Sequence, residues 1–257
     1  MTEAGLDAVR AVALSDKAVQ QMAVKSSAYA DSKKRVAPAT SKYARRLKRL
    51  VGDHYQEGDL TFNYKVYLAQ EVNAFAMADG TIRVYSGLMD MFTDDELRFV
   101  IGHEMGHVAL KHIHKKLKLA YASRAVRKAI AATDSTAGEI ARSQLGNFVQ
   151  VLMGAQFSQL EEKEADDYSL TFMKEKGYTP EAAVVALKKL ATLGNDHSFL
   201  SSHPAPGKRA ERLQMQLDGK DVGVEEKKKG LLAKAVGILA FVVNLLVGLL
   251  RWLAGLL

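Results

Sequence analysis

The segment Val100-Ile101-Gly102-His103-Glu104-Met105-Gly106-His107 sets the tightest limit on how this chain of 257 residues folds. Two histidines four positions apart project from one side of a helix, one turn from each other. Both imidazoles then reach a single zinc ion at ordinary Zn–N distances. The chain contains no cysteine, which excludes disulfide scaffolds, thiolate zinc sites, iron–sulfur ligation and cysteine catalysis. Any metal is therefore held by His, Asp or Glu. Glu104 is rotated away from the two histidines but stands beside the open metal position, where it can take a proton from an attacking water.

The surrounding pattern is mostly helical with one small sheet. Residues 3–30 and 40–51 read as helices, separated by the basic, proline-containing break SKKRVAPAT. Residues 61–70 alternate and are rich in aromatic and β-branched types, as a strand requires. A second strand is expected over 71–77, a tight turn at Ala78-Asp79-Gly80 and a third strand over 81–86. Thr93 and Glu96 form a capping box that opens the HExxH helix, which the pattern carries to about Lys118. Residues 119–157 read as mainly helical. Another helix is expected from Ser158 to Lys176, stopped by Gly177. Thr179-Pro180 starts the next helix, which ends near Gly194. A loop over 201–206 precedes a last short helix over 208–217.

A catalytic zinc site needs three protein ligands and an open position. The dense candidate for the third is Glu161-Glu162-Lys163-Glu164-Ala165-Asp166-Asp167. Glu162 and Asp166 share one helix face, so Glu162 can bind metal while Asp166 accepts the free ring N–H of a ligand histidine. Spacing does not separate Glu162 from Glu161 or Glu164. His112 and His114, five and seven positions beyond His107, read as surface residues of the basic run KHIHKKLK. His54 and His197 fall in expected loops.

The segments NAFAMADGTIRVYSGLMD, VIGHEMGHVALKH, QFSQLEEKEADDYS and SSHPAPGKRAERL occur in this order. Together they resemble the zinc endopeptidase family of the HtpX and CAAX prenyl protease type, and most of all its bacterial cell-envelope LoiP/BepA-like branch. The resemblance covers roughly residues 1–217. It implies an α+β, mainly helical, zincin-like metallopeptidase domain with a three-stranded sheet beside the HExxH helix. It implies one zinc ion per chain and selects Glu162 as third ligand with Asp166 behind a histidine. His203 and Arg209 match the family's HPxxxxR element. The resemblance leaves two roles open for His203, oxyanion support or a fourth ligand in a resting state. Asn73, Ala74, Phe75 and Ala76 match the family's edge strand, where an extended peptide can pair with exposed backbone.

The implied activity is hydrolysis of unfolded or misassembled envelope proteins, with Glu104 as general base. The alternative is a chaperone or assembly factor that holds extended clients on the same strand while the zinc site stays shut. The net charge of +7 suits anionic lipid, and no nucleic-acid recognition motif is present. The domain reading is a peptidase domain over 1–219, a charged linker over 220–229 and an apolar helix over 230–257. In that last stretch Gly237, Asn244 and Arg251 repeat every seven residues, and small and polar residues collect on one stripe. The expectation is membrane contact, spanning or in-plane, at the periplasmic side of a bacterial envelope, the alternative being burial against the domain or within an oligomer. The chain departs from the branch in that tail, in showing no basic-then-apolar leader and in having no Cys for a lipid.

Overall fold

A computed structural model describes residues 16–122, 156–194 and 198–220 of the chain. Helix α1 spans Asp16–Lys33 and α2 spans Lys42–Val51. The Ser41 side chain caps α2 by accepting from the Ala44 N–H at 3.0 Å. A small antiparallel ladder joins β1, Gln56–Glu57, to β2, Leu60–Thr61. The sheet that matters for the site comprises β3, Asn63–Tyr67, β4, Ala74–Ala76, and β5, Thr81–Tyr85. Its order is β3-β5-β4, with β3 parallel and β4 antiparallel to the central β5.

Helix α3, Ser86–Met91, leads directly from β5. Helix α4, Asp94–Ala109, carries the HExxH segment and is followed by α5, His112–Ala122. Helix α6 spans Gln159–Glu175 and α7 spans Glu181–Ala191. The short α8, Ser198–Ser202, and α9, Pro206–Leu217, complete the described elements. By internal contacts the chain divides into units over 1–211 and 212–257. The second is described only over 212–220, the end of α9 and a turn with Gly219 at φ 70.

The mainly helical architecture and the sheet beside the HExxH helix follow the sequence pattern, while several boundaries do not. The first long strand is split between β2 and β3, and the second shrinks to three residues. Helix α3 is an addition, and α8 occupies the start of the segment read as a loop. The HExxH helix ends at Ala109 because Lys111 adopts a left-handed conformation, φ 57, with no Gly or Pro to announce it. Residues 1–15 of the first expected helix, 123–155 of the middle helical segment and the 230–257 tail lie outside the described residues. Among the described residues, no helix is long and apolar enough to cross a membrane.

Helix α4 is buried on nearly every side, with polar Glu96, His103, Glu104 and His107 inside together with Leu97, Phe99 and Val100. It packs against α6, α7 and β4. Its start is fixed by the expected capping box: the Thr93 N–H donates to Glu96 Oε2 at 2.8 Å, and Lys189 Nζ donates to the same oxygen at 2.7 Å. Two glycines let α6 approach. A Cβ at Gly102 would lie 2.6 Å from Ser169 Oγ, and one at Gly106 would lie 3.1 Å from Ala165 Cα. Ser169 Oγ donates to the Phe99 carbonyl at 2.7 Å and joins the two helices at that contact.

The sheet has a polar pin of its own. Arg83 on β5 is 2% exposed and donates to Asp31 of α1 through Nε at 2.8 Å and Nη2 at 3.0 Å. Lys65 Nζ and Tyr67 Oη donate to the same carboxylate at 2.7 and 2.8 Å. Burial by itself would raise the Asp31 pKa, but these bonds and the Arg83 charge bring it from 3.8 to about 2. Asp31→Ala strands a buried guanidinium and is expected to cost about 3–5 kcal/mol, read as a lower urea midpoint. Because the folded pKa is depressed, the carboxylate's contribution is complete above 3.8 and is lost as pH falls toward about 2. Acid titration of the parent against Asp31→Ala should therefore show their stabilities converging in that window.

Candidate metal centre

Helix α4 presents His103 and His107 to α6, and α6 presents Glu162 and Asp166 in return. The three acids that spacing left equivalent have three different tasks. Glu161 caps its own helix, accepting from the Ser158 N–H at 2.9 Å. Glu164 faces His112 at 3.0 Å. Glu162, 1% exposed, points between the two histidines of the HExxH segment.

His203 reaches the same point from the segment after α8. It stacks on Phe199 at 4.4 Å between ring centres, and its N–H donates to the Phe199 carbonyl at 3.0 Å. His103, His107, Glu162 and His203 thus form a buried group whose donor atoms lie within 4.8 Å of one another. The separations are 3.0 Å for His103 Nε2 to His107 Nε2 and 3.3 Å for His107 Nε2 to Glu162 Oε1. His203 Nδ1 lies 3.3 Å from His103 Nε2 and 3.0 Å from Glu162 Oε1. Donors about 2.0–2.1 Å from a tetrahedral zinc ion stand about 3.3–3.4 Å apart, so the set has the size the ion requires.

The protons agree. Asp166 Oδ1 lies 3.0 Å from His103 Nδ1, and a carboxylate only accepts, so Nδ1 carries the ring proton. The His103 Nε2 lone pair then faces the His107 ring nitrogen across 3.0 Å, an arrangement that a cation between them stabilises. Burial holds the His107 pKa well below its ordinary value, which keeps the ring neutral and able to ligate.

Arg209 on α9 supports both carboxylates. Its Nε and Nη2 donate to Asp166 at 2.9 and 2.6 Å, and its Nη1 donates to Glu162 Oε2. Burial would raise both acids, but the guanidinium holds Glu162 well below the usual carboxylate range and Asp166 at about 2. Glu104 is 1% exposed, and its Oε1 has no hydrogen-bond partner. That oxygen lies 3.4 Å from His203 Nε2.

The four residues matched to the edge strand fall together on β4 and just before it. The Tyr85 N–H donates to the Asn73 carbonyl at 3.0 Å and the Met77 N–H to the Thr81 carbonyl at 2.8 Å. This alternation turns the N–H and C=O of Ala74 and Ala76 toward the outer edge. The strand differs from expectation in that all four residues are buried, Ala74 at 1% and Phe75 at 6% exposure. Neither polar atom of the Asn73 side chain has a hydrogen-bond partner.

Three neighbours escaped the sequence reading. His112 is not a surface residue: it is fully buried and lies 3.0 Å from His107, Nδ1 to Nδ1. Phe157 stacks on His107 with ring centres 3.7 Å apart and planes at 17°. Lys116, which belongs to the same basic run, is 8% exposed with Nζ 3.8 Å from the Phe157 ring centre. Burial lowers its pKa to about 8 against the attraction of Glu104, Glu162 and Glu161. His54 lies in a turn, as expected, and contacts the Tyr178 hydroxyl at 2.9 Å. His197 is outside the described residues.

Imidazole and carboxylate donors of this number and spacing, beside a buried glutamate with one oxygen free of hydrogen bonds, are the apparatus of a zinc-dependent metalloendopeptidase, an enzyme acting on peptide or protein substrates. Comparison with known proteins agrees. The sequence model of peptidase family M48 matches residues 40–216, and the chain belongs to that family. It is 44% identical to the metalloprotease LoiP of Escherichia coli K12 over 226 residues, 85% of this chain and 89% of LoiP. It is 41% identical to the metalloprotease YcaL of the same organism over 218 residues, 83% and 85% of the two chains. The E. coli K12 beta-barrel assembly-enhancing protease is 26% identical over 185 residues, 67% of this chain and 38% of that protein.

Removing Arg209 leaves two carboxylates buried without their counter-charge. Arg209→Ala is expected to lower the stability of the zinc-free protein by about 3–5 kcal/mol, measured by urea unfolding. Arg209→Lys keeps the charge but loses the fork that spans Asp166 and Glu162, and should fall between the two.

Proposed function

We propose that His103, His107 and Glu162 hold the zinc ion and that Glu104 is the general base and acid of peptide hydrolysis. The observation that carries this reading is Glu104 Oε1, buried and without a hydrogen-bond partner beside the converging donors. Zinc, when bound, supplies Lewis acidity toward water and the scissile carbonyl. Glu104 accepts the proton of the attacking water and delivers it to the leaving amine. Asp166 and Arg209 fix the His103 ring, and His203 stands where it can donate to the developing oxyanion once its Nδ1 leaves the donor group.

An extended substrate would add to β4 through the Ala74 and Ala76 backbone, with Asn73 supplying a donor and an acceptor. Strand addition requires the edge to be uncovered, and backbone pairing reads no particular sequence. Both favour unfolded or misassembled chains. The name of one relative, the beta-barrel assembly-enhancing protease, links a protease of this kind to protein assembly and supports such a role. The domain reading stands as part of the proposal: peptidase over 1–219, linker over 220–229, and a membrane-binding helix over 230–257 that holds the enzyme at the periplasmic face. A second reading, a client-binding assembly factor with a latent site, is favoured by His203 Nδ1 lying inside the donor group.

Cleavage of unfolded casein separates the two. Glu104→Gln should retain zinc, measured by metal analysis, and lose cleavage by at least about 100-fold. Cleavage at the parental rate would refute the general-base assignment. Client binding without any cleavage by the parent would favour the second reading. Removing residues 230–257 should release the protein from vesicles of anionic lipid and leave casein cleavage intact. A full-length chain that stays monomeric and soluble without lipid or detergent would refute the membrane assignment.

A further inference from the structure

His103 and His107 are both supported behind their metal-facing nitrogens, but by different chemistry. His103 rests on Asp166, which the family motif already names. His107 rests on another histidine, and nothing in the HExxH or ExxxD pattern accounts for it. On an unbroken helix, residues five apart lie about 140° apart around the axis. His112 could not then face His107. The left-handed Lys111, φ 57, ends α4 and starts α5 so that His112 turns back beneath the earlier ring.

The contact continues. His112 Nδ1 lies 3.0 Å from His107 Nδ1, and His112 Nε2 lies 3.0 Å from Glu164 Oε2. His112 is 0% exposed, whereas the Glu164 side chain is 44% exposed, so the row runs from the buried centre to the surface. Proton positions follow from the outer end. The Glu164 carboxylate only accepts, so His112 Nε2 carries the proton of the neutral ring. His112 Nδ1 is then a bare acceptor, and His107 Nδ1 must donate to it. The His107 Nε2 lone pair is thereby directed at Glu162 Oε1, 3.3 Å away. Phe157, stacked at 3.7 Å, stops the ring from rotating out of this plane.

We infer that His112 and Glu164 are positioning residues that fix the tautomer and orientation of His107 for metal binding, a second support independent of Asp166 and Arg209. This rests on the proposal that His107 is a zinc ligand. Glu164 is thus not a metal ligand: from the surface it sets the polarity of a three-residue hydrogen-bond row.

The test measures zinc affinity of the full-length protein by competition with a chromogenic chelator, with far-UV circular dichroism as a check of folding. His112→Leu should weaken zinc binding about 10–100-fold, the range for lost outer partners of ligand histidines. His112→Asn, whose amide oxygen takes the place of Nδ1, should restore affinity close to the parent's. Glu164→Leu should weaken binding in the parent and have no further effect in His112→Leu. If His112→Leu does not fold, the same comparison is made in His112→Asn, where Glu164→Leu should again have no effect. Parental affinity in folded His112→Leu, no rescue by Asn, or an equal effect of Glu164→Leu in every background overturns the inference. His107→Ala is the control for the reading beneath it. If that variant also binds zinc like the parent, His107 is not a ligand. If it alone loses zinc, the ligand stands and only the row is wrong.

Discussion

Helices α4 and α6 meet at Gly102 and Gly106, and three of the four converging donors stand on these two helices. A Cβ at 2.6 Å from Ser169 Oγ would push that hydroxyl off the Phe99 carbonyl, and one at 3.1 Å from Ala165 Cα would force a separation of a few tenths of an ångström. Overpacking of this kind typically costs about 1–3 kcal/mol. Separation would matter more for chemistry than for stability, since Glu162 and Asp166 are carried on the helix that would move. The Ser169 bond to the Phe99 carbonyl holds the contact from the polar side. The site therefore depends on the absence of two side chains as much as on the presence of four.

Close approach creates an electrostatic problem that Arg209 resolves. Glu162 and Asp166 are 1% and 0% exposed, and burial favours their neutral forms. A single guanidinium, itself 7% exposed, donates to both and keeps both ionised. An ionised Asp166 then sets the tautomer of His103, and an ionised Glu162 remains available as a donor. Lysine could supply the charge but not a planar fork spanning two carboxylates. A histidine-to-carboxylate contact and an arginine-to-carboxylate fork thus form one unit built from α4, α6 and α9.

The same logic appears at His107 with other materials. There the neutral ring of His112 replaces the carboxylate, and the charge is displaced to Glu164 at the surface. Phe157 covers the face of His107, and Lys116 lies 3.8 Å from the centre of the Phe157 ring. One histidine is therefore held within a buried ion-pair cluster and the other between a histidine and an aromatic ring. Glu104, between them in sequence, is left without a hydrogen bond at Oε1.

The sequence by itself determined the elements whose information is local. His103, Glu104 and His107 are legible because helix periodicity alone places them. The capping box at Thr93 is legible because its partner is three residues away, whereas the second one, at Ser158, came only with the structure. The resemblance to known segments selected Glu162, Asp166, His203 and Arg209 and put the sheet beside the helix. What the tertiary structure decided is long-range or unannounced. Spacing could not divide the tasks of Glu161, Glu162 and Glu164, because these depend on what each meets 3 residues, 52 residues or a helix away. His112 read as a surface residue because the turn that buries it is made by Lys111, a residue type with no left-handed preference. Lys116 drew no notice within its basic run because the aromatic ring beneath it arrives from position 157. A residue's own neighbours in sequence fix its backbone, but only the packing of distant segments fixes which atom its side chain meets.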